Sequence, residues 1–501
     1  MILMLLNNVL VYYLYSMYFQ VLFPLEAKSL VFSSLIFLYI FLPLNLLIYF
    51  LSKNQVYRNW VLIIFSLCFY AWGEPVWISI LIFSALIDYF HGLIAEKYRG
   101  HWQSKAALIS SLLVNLSLLG FFKYSSFFVQ NFNFLFGINL PFHEFALPIG
   151  ISFYTFQTLS YVIDVYKGEV SAQKSPYKLL LFVSLFHQLV AGPIVRYKDV
   201  ASQIDNRLHS LSLFDQGIKR FVIGLGKKVI LANTAGEIAE VFLNGNLSTL
   251  PVLGAWFGII LFALQIYFDF SGYSDMAIGL GKLFGFNYKE NFNYPYISRS
   301  ATEFWRRWHI SLGSFFRDYL YIPLGGNKKF HLRNLFIVWF LTGLWHGASW
   351  NFVLWGLYYG LLIILEKTFL IKIFDKLPRF ISHFYLIITV LIGWVFFYYT
   401  NLNTVLEFLK IMFSFGEREL INTTLGIYFF NNFLFFVIAL IACTPILPAI
   451  DEKITCLLGK YIWVYNLYDG FIKPLLILAI LATATVLLVG KSYNPFLYFR
   501  F

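Results

Sequence analysis

Apolar stretches of about 20 residues, the length of a membrane-crossing helix, recur along this chain with short polar connections between them. They can be placed near 2–23, 30–52, 59–78, 78–95, 106–128, 145–165, 177–195, 252–275, 334–350, 351–371, 382–400, 428–447 and 473–490. The pattern predicts an all-α polytopic membrane protein of roughly 11–13 transmembrane or re-entrant helices. No internal repeat or low-complexity linker divides the sequence, so residues 30–501 are expected to form a single membrane domain. Residues 1–29 are expected to be an N-terminal extension or an extra apolar segment. Their first cation is Lys28, after a long apolar run, which fits a cleavable signal peptide poorly. LVFSSLIFLYIFLPLNLL reads as a natural protein start, with Leu30 at a non-ATG initiation codon.

Between Tyr294 and Tyr359 the pattern breaks. The chain reads NYPYISRSATEFWRRWHISLGSFFRDYLYIPLGGNKKF and, after a short apolar stretch, GLWHGASWNFVLWGLYYG. The first part carries Arg299, Glu303, Arg306, Arg307, His309, Arg317 and Asp318; the second sets His346 among Trp345, Trp350 and Trp355. Ionisable groups at membrane depth are costly and tend to face a water-filled cavity or a site. The chemistry is therefore expected here, with the segment holding Arg306, Arg307 and His309 as a cytosol-facing amphipathic or re-entrant helix.

Composition agrees with the membrane reading. Only 12% of the 501 residues are charged, about half the share usual in soluble domains. A net charge of +12 in such a chain reads as cytoplasmic-loop lysine and arginine, and no nucleic-acid partner is expected. Lys53 with Arg58, and Lys97 with Arg99 and Lys105, mark two loops separated by an even number of crossings, hence both on the cytoplasmic side. Segment 215–231, with Lys219, Arg220, Lys227 and Lys228 among apolar positions, reads as an interfacial amphipathic helix. Cys68, Cys443 and Cys456 are scattered, without the spacing of a metal site or a disulfide framework, and no metal is expected.

Three other polar clusters carry two readings each. In ALPIGISFYTFQTLSYVIDVYKG (146–168), Pro148 and Gly150 break a helix bearing Gln157 and Asp164, which either lines a cavity or packs as a kinked helix. In FHQLVAGPIVRYKD (186–199), His187 and Gln188 precede a Gly192–Pro193 break, with Arg196 and Lys198 beyond it. That is either the mouth of an anionic-substrate channel or an ordinary cytoplasmic helix end with interfacial anchors. In the segment from Tyr267 to Tyr296, Asp269 and Asp275 flank Ser271–Gly272. A structural bend closing the cavity is favoured there over a metal site, for want of a third ligand. His346 itself reads either as a buried core histidine or as a base, since a neutral imidazole accepts a hydroxyl proton near neutral pH.

FDFSGYSDMAIGLGKLFGFNYKENFNYPYISRSATEFWRRWHISLGSFFRDYLYIPLGGN, followed by TGLWHGASWNFVLWGLYYG, resembles the membrane-bound O-acyltransferase family. Within it the likeness is to the branch of alginate and peptidoglycan O-acetylation proteins. PIGISFYTFQTLSYVIDVYKG and QLVAGPIVRY extend the resemblance over nearly the whole chain, and YIPLGGN (Tyr321–Asn327) sets it apart from the D-alanyl-transferring relatives. The resemblance implies helices surrounding a central tunnel, with acetyl-CoA as acyl donor entering from the cytosol. It implies His346 as the catalytic base and His309 as a second polar group that orients substrate or polarises the thioester. CoA phosphates need cations, which makes Arg306, Arg307 and Arg317, with Trp345 beside the base, the expected substrate-binding residues. SYNPFLYFRF at 492–501 is by itself an aromatic belt. It also resembles the C-terminal tyrosine motif of these proteins, which implies that Tyr498 receives the acyl group and hands it to a periplasmic O-acetyltransferase partner. The expectation is a multi-pass protein of the bacterial inner membrane that O-acetylates an envelope polysaccharide, alginate-like or peptidoglycan. The alternative is a transporter or flippase for a glycan precursor, without covalent chemistry, although transporter folds leave an internal symmetry that is absent here.

Overall fold

In a computed structural model, which describes residues 30–142, 145–189, 192–491 and 493–497, the chain is built from helices. Among the described residues the only β-pairing is an isolated bridge between Phe415 and Arg418. Five helices among the described residues are long and apolar enough to cross a membrane: Ile78–Lys97, Trp102–Phe136, Val252–Leu283, Arg379–Tyr398 and Ile462–Gly490. The pair Thr423–Asn431 and Phe433–Ala442, bent by 63°, makes a sixth if it is one span. Several other apolar blocks fold as shorter pieces, interrupted by breaks or π-turns, while Gln55–Gly73 is one continuous helix. The expectations placed on residues 1–29 fall outside the described residues.

The chain divides into two compact units. The first holds α1 (Gln55–Gly73), α2 (Ile78–Lys97), α3 (Trp102–Leu119) and α4 (Ile151–Lys167). Several of its polar side chains are turned inward and paired, as groups at membrane depth require. The buried Asp88 of α2 accepts hydrogen bonds from Ser111 (2.7 Å) and Asn115 (2.8 Å) of α3, with His91 3.0 Å away. Pro148 and Gly150 do not kink a helix. Gly150 stands at the N-cap of α4 with φ 77°, a left-handed conformation that glycine adopts without strain. Asp164 is fully buried and lies 3.7 Å from Lys198, which also binds Glu169 at 2.5 Å. That lysine holds the Glu169 carboxyl below its usual pKa, so of the two cations in 186–199 Lys198 is an anchor already engaged by carboxylates.

The second unit contains α5 (Leu211–Gly226), α6 (Val252–Leu283), α7 (Ala301–Arg307), α8 (Ile310–Phe316), α9 (His331–His346), α10 (Trp350–Leu365) and α11 (Arg379–Tyr398). Helices α5 and α6 meet through glycines. A Cβ on Gly224 would lie 2.5 Å from the Gly272 carbonyl oxygen, and one on Gly217 2.9 Å from that of Gly279. Seven-residue spacing on both helices lets the two backbones touch twice, as small residues allow in membrane bundles. Gly272 therefore serves close approach, and α6 runs unbroken through the Ser271–Gly272 pair where a bend was expected. The basic segment 215–231 keeps an exposed face but turns three of its four cations to α6. Asp275 of α6 takes Arg220 and Lys227 at 2.7 Å each, and the buried Asp269 takes the buried Lys228 at 2.7 Å. Both aspartates are engaged by cations, and no group of three His, Cys, Asp or Glu suited to a metal ion occurs among the described residues.

Candidate active site

The polar break folds as a succession of short helices. Ser300 caps α7 by accepting from the Glu303 N–H at 3.1 Å, while Glu303 reaches back to the Arg299 N–H at 2.9 Å, close to a capping-box arrangement. A second carboxylate completes the cap. Buried Glu366, one residue beyond α10, accepts from the N–H groups of Ala301 (2.6 Å) and Thr302 (2.8 Å), from the Thr302 hydroxyl (2.6 Å) and from Tyr385 (3.1 Å). The orphan donors that begin any helix are thus satisfied, and α7 is fixed against α10 and α11.

Beyond α7 lies a cavity of about 510 Å³, within the usual range for small-molecule sites. Its wall includes Trp305, Arg306, His309, Arg317, Trp339 and Thr342. Two of the three expected arginines therefore share one cavity with a histidine. Arg317 also pairs with its neighbour Asp318 at 2.7 Å. Arg307 is absent from this wall; its guanidinium binds Glu303 at 2.9 Å and the Asn293 carbonyl at 3.2 Å, which closes the turn between α7 and the strand-like stretch before it.

His309 begins α8 and is buried, with φ 45°. Its Nδ1 lies 3.2 Å from Asn291 Oδ1, which also accepts from the Ser311 N–H at 3.1 Å. A backbone N–H can only donate, so this Asn291 atom is the amide oxygen and the neutral imidazole carries its proton on Nδ1. Nε2 is then an acceptor. Across the ring, Phe270 packs at 4.6 Å and Trp345 at 6.1 Å. Three non-glycine residues among those described have positive φ: Tyr294, His309 and Phe330. Each stands at the N-cap of an element in this break, where strained backbone tends to accompany function.

His346 is the last residue of α9 and is buried among Trp345 (4.9 Å), Trp355 (4.8 Å) and Phe397 (5.3 Å). Trp345 thus lies between the two histidines. Leu335, Val338, Trp339 and Thr342 of α9 line the cavity, and Thr342 is one turn before His346 on the same face. His346 and Trp345 themselves stand just past the cavity wall. The turn is held from both sides. Lys123 donates to the Trp345 carbonyl at 2.5 Å and Tyr124 to the Leu344 carbonyl at 2.8 Å, supplying two side-chain donors to the unsatisfied carbonyls of a helix end. Opposite, Gly343 meets α10 so closely that a Cβ would sit 2.4 Å from the Phe352 carbonyl oxygen. His346 Nε2 is buried and has no hydrogen-bond partner among the described residues.

The third proposed catalytic group, Tyr498, lies outside the described residues. Residues 493–497 before it are described. Glu366, Lys123 and Asn291 escaped the sequence reading, since each meets the site through a long-range contact; only their polarity beside apolar runs hinted at a role.

Residues 9–408 match the model of the membrane-bound O-acyltransferase family. The probable alginate O-acetylase AlgI of Pseudomonas putida is 38% identical over 506 residues, covering 94% of this chain and 100% of the relative. The protein of that name from Pseudomonas aeruginosa is 42% identical, covering 78% and 76%. A peptidoglycan O-acetyltransferase from Helicobacter pylori is 35% identical over 423 residues, covering 77% of this chain and 80% of its own. With most of its length matched and its two histidines flanking one tryptophan beside an arginine-bearing cavity, this chain belongs to the membrane-bound O-acyltransferase family and is an O-acyltransferase.

Proposed function

We propose that the protein takes acetyl from acetyl-CoA on the cytosolic side of the bacterial inner membrane and passes it, through Tyr498, to a periplasmic transferase that O-acetylates an envelope polysaccharide. The observation that carries this reading is the unpartnered Nε2 of His346. That nitrogen lies in an aromatic cage one turn past Thr342 on the cavity wall, where it can accept a proton from a substrate hydroxyl. Names of relatives that act on alginate and peptidoglycan support the polymer class. Family membership in an acyltransferase group disfavours a transporter without covalent chemistry.

His346 Nε2 takes the phenolic proton of Tyr498 as the Tyr498 oxygen attacks the thioester carbon. The new C–O bond replaces the C–S bond, and the proton passes from His346 to the departing CoA thiolate. Arg306 and Arg317 bind the CoA phosphates at the cavity wall. His309, protonated on Nδ1, orients the donor by accepting from an amide N–H of its pantetheine arm. In that tautomer Nε2 cannot donate to the thioester oxygen, which favours orientation over polarisation. The alternative donors are other acyl-CoAs.

Purified protein incubated with acetyl-CoA labelled in its acetyl group tests the scheme. Label is expected on Tyr498, with free CoA released, and is expected to vanish in His346→Ala and Tyr498→Phe. Absence of both label and CoA release in the unsubstituted protein refutes it, and competition among a panel of acyl-CoAs identifies the donor.

A further inference from the structure

The acyl-relay reading leaves open how the chain just before Tyr498 is held. Residues 493–496 have no regular secondary structure, so their backbone groups lack the ladder that a helix supplies. In a membrane protein such backbone is tolerated only where protein satisfies it. Here each residue finds a partner in the second unit. The Tyr493 hydroxyl donates to Glu240 at 2.9 Å, Asn494 accepts from Asn233 at 3.1 Å, and the Phe496 ring packs on Tyr273 at 4.7 Å. The two remaining contacts come from the ion pair. Lys228 donates to the Pro495 carbonyl, and Asp269 Oδ2 accepts from the Leu497 N–H at 2.9 Å.

That use of the pair is informative. A buried ion pair adds little to stability over apolar residues of the same volume, so packing α5 against α6 does not by itself require one. Lys228 and Asp269 are 2% and 3% exposed at their side chains and 2.7 Å apart. Each also directs a hydrogen bond at main-chain atoms two residues apart in the same segment. Bonds to a carbonyl at 495 and an N–H at 497 fix the register of the segment, whatever side chains it carries, and the next residue in sequence is Tyr498.

We propose that the buried Asp269–Lys228 pair is a clamp that grips the backbone of residues 495–497 and so positions Tyr498 for acyl transfer. Both are positioning residues, acting through the segment rather than on the acetyl group. The clamp rests on the reading that Tyr498 is the acyl acceptor, but the grip on 495–497 can be measured independently of it.

The test uses the full-length protein in lipid nanodiscs and the variant Asp269→Leu/Lys228→Met, which removes both charges together and so leaves no unpaired buried ion. Leu497→Cys, in a background with the exposed Cys68 and Cys456 replaced by serine, reports the grip through its rate of maleimide labelling. The clamp predicts labelling at least about tenfold faster in the double variant, the factor carried by one net hydrogen bond. It also predicts Tyr498 acetylation about a hundredfold slower, the scale of a misplacement of about 1 Å, with the donor KM unchanged. Unchanged labelling overturns the clamp, and so does faster labelling with acetylation intact. If the double variant does not fold, insertion of one alanine between Leu497 and Tyr498 leaves the pair intact and moves Tyr498 by about 3.5 Å. Acetylation at the unsubstituted rate in that insertion variant also overturns the positioning role. Failure to find acetyl on Tyr498 in the unsubstituted protein refutes the relay instead, and the labelling rates still decide the grip.

Discussion

Gly343→Ala adds one methyl group where two helices touch through their backbones, one turn before His346. The new Cβ would lie 2.4 Å from the Phe352 carbonyl oxygen and 3.2 Å from the Gly356 Cα. Ordinary contact lies near 3.5 Å, so α9 and α10 must part by about 1 Å at this level. No rotamer relieves the clash, because the obstructing atoms are main chain. Separation of the two helices also withdraws His346 from Trp355, whose ring is 4.8 Å away. Overpacking of this kind costs about 1–3 kcal/mol in stability, and a 1 Å displacement of a base costs about a hundredfold in rate. The assay pairs single-turnover acetylation, monitored by CoA release, with thermal unfolding in detergent. Gly426→Ala is the control: no atom lies within 4 Å of its Cβ position, and alanine in a helix is favoured by up to about 1 kcal/mol. A Gly343→Ala protein with unchanged turnover and melting temperature would refute the view that this crossing sets the position of His346.

Other substitutions probe the remaining supports. Lys123→Met removes the Nζ donor from the Trp345 carbonyl and is expected to lower kcat by up to about tenfold with donor KM unchanged, since a net hydrogen bond is worth about 0.5–1.5 kcal/mol; steady-state kinetics will show the split. Glu366→Ala strips the cap from α7 and is expected to cost about 1–2 kcal/mol in thermal or denaturant unfolding, with a raised donor KM because Arg306 rides on that helix. Arg306→Ala and Arg317→Ala are expected to raise the donor KM about tenfold each through lost charge-assisted bonds to phosphate. At least one should also lose discrimination between acetyl-CoA and its 3′-dephospho form, as competition assays would reveal.

The polar break, both histidines and the cavity arginines were legible because the membrane makes charged residues conspicuous. A histidine or an arginine there stands out against apolar neighbours. Amphipathicity misled in one place. In 215–231, basic and apolar positions form a pattern that suits lipid headgroups and the carboxylates of a neighbouring helix equally, and only the fold shows that Asp269 and Asp275 are the partners. The Ser271–Gly272 pair was similarly ambiguous, since glycine permits either a bend or a close approach, and here Gly224 uses the space. Glu366 and Lys123 were illegible for a different reason. Their partners lie 65 and 222 residues away, and local patterning carries no trace of such pairings. Arg307 shows the converse, a cation beside the right neighbours whose helical position turns it to Glu303.

The left-handed residues Tyr294, His309 and Phe330 have a consequence for design. An L-residue in that conformation costs about 1–2 kcal/mol relative to ordinary helical backbone, a cost that glycine largely escapes. Where the side chain is exposed, as at Phe330, glycine would relieve that cost with little packing lost. At His309, glycine would relax the backbone but delete a buried imidazole packed on Phe270 and hydrogen-bonded to Asn291, a loss larger than the strain it relieves. A histidine at φ 45° is thus held against its backbone preference by its own contacts, and stabilising designs of this protein should leave that position alone.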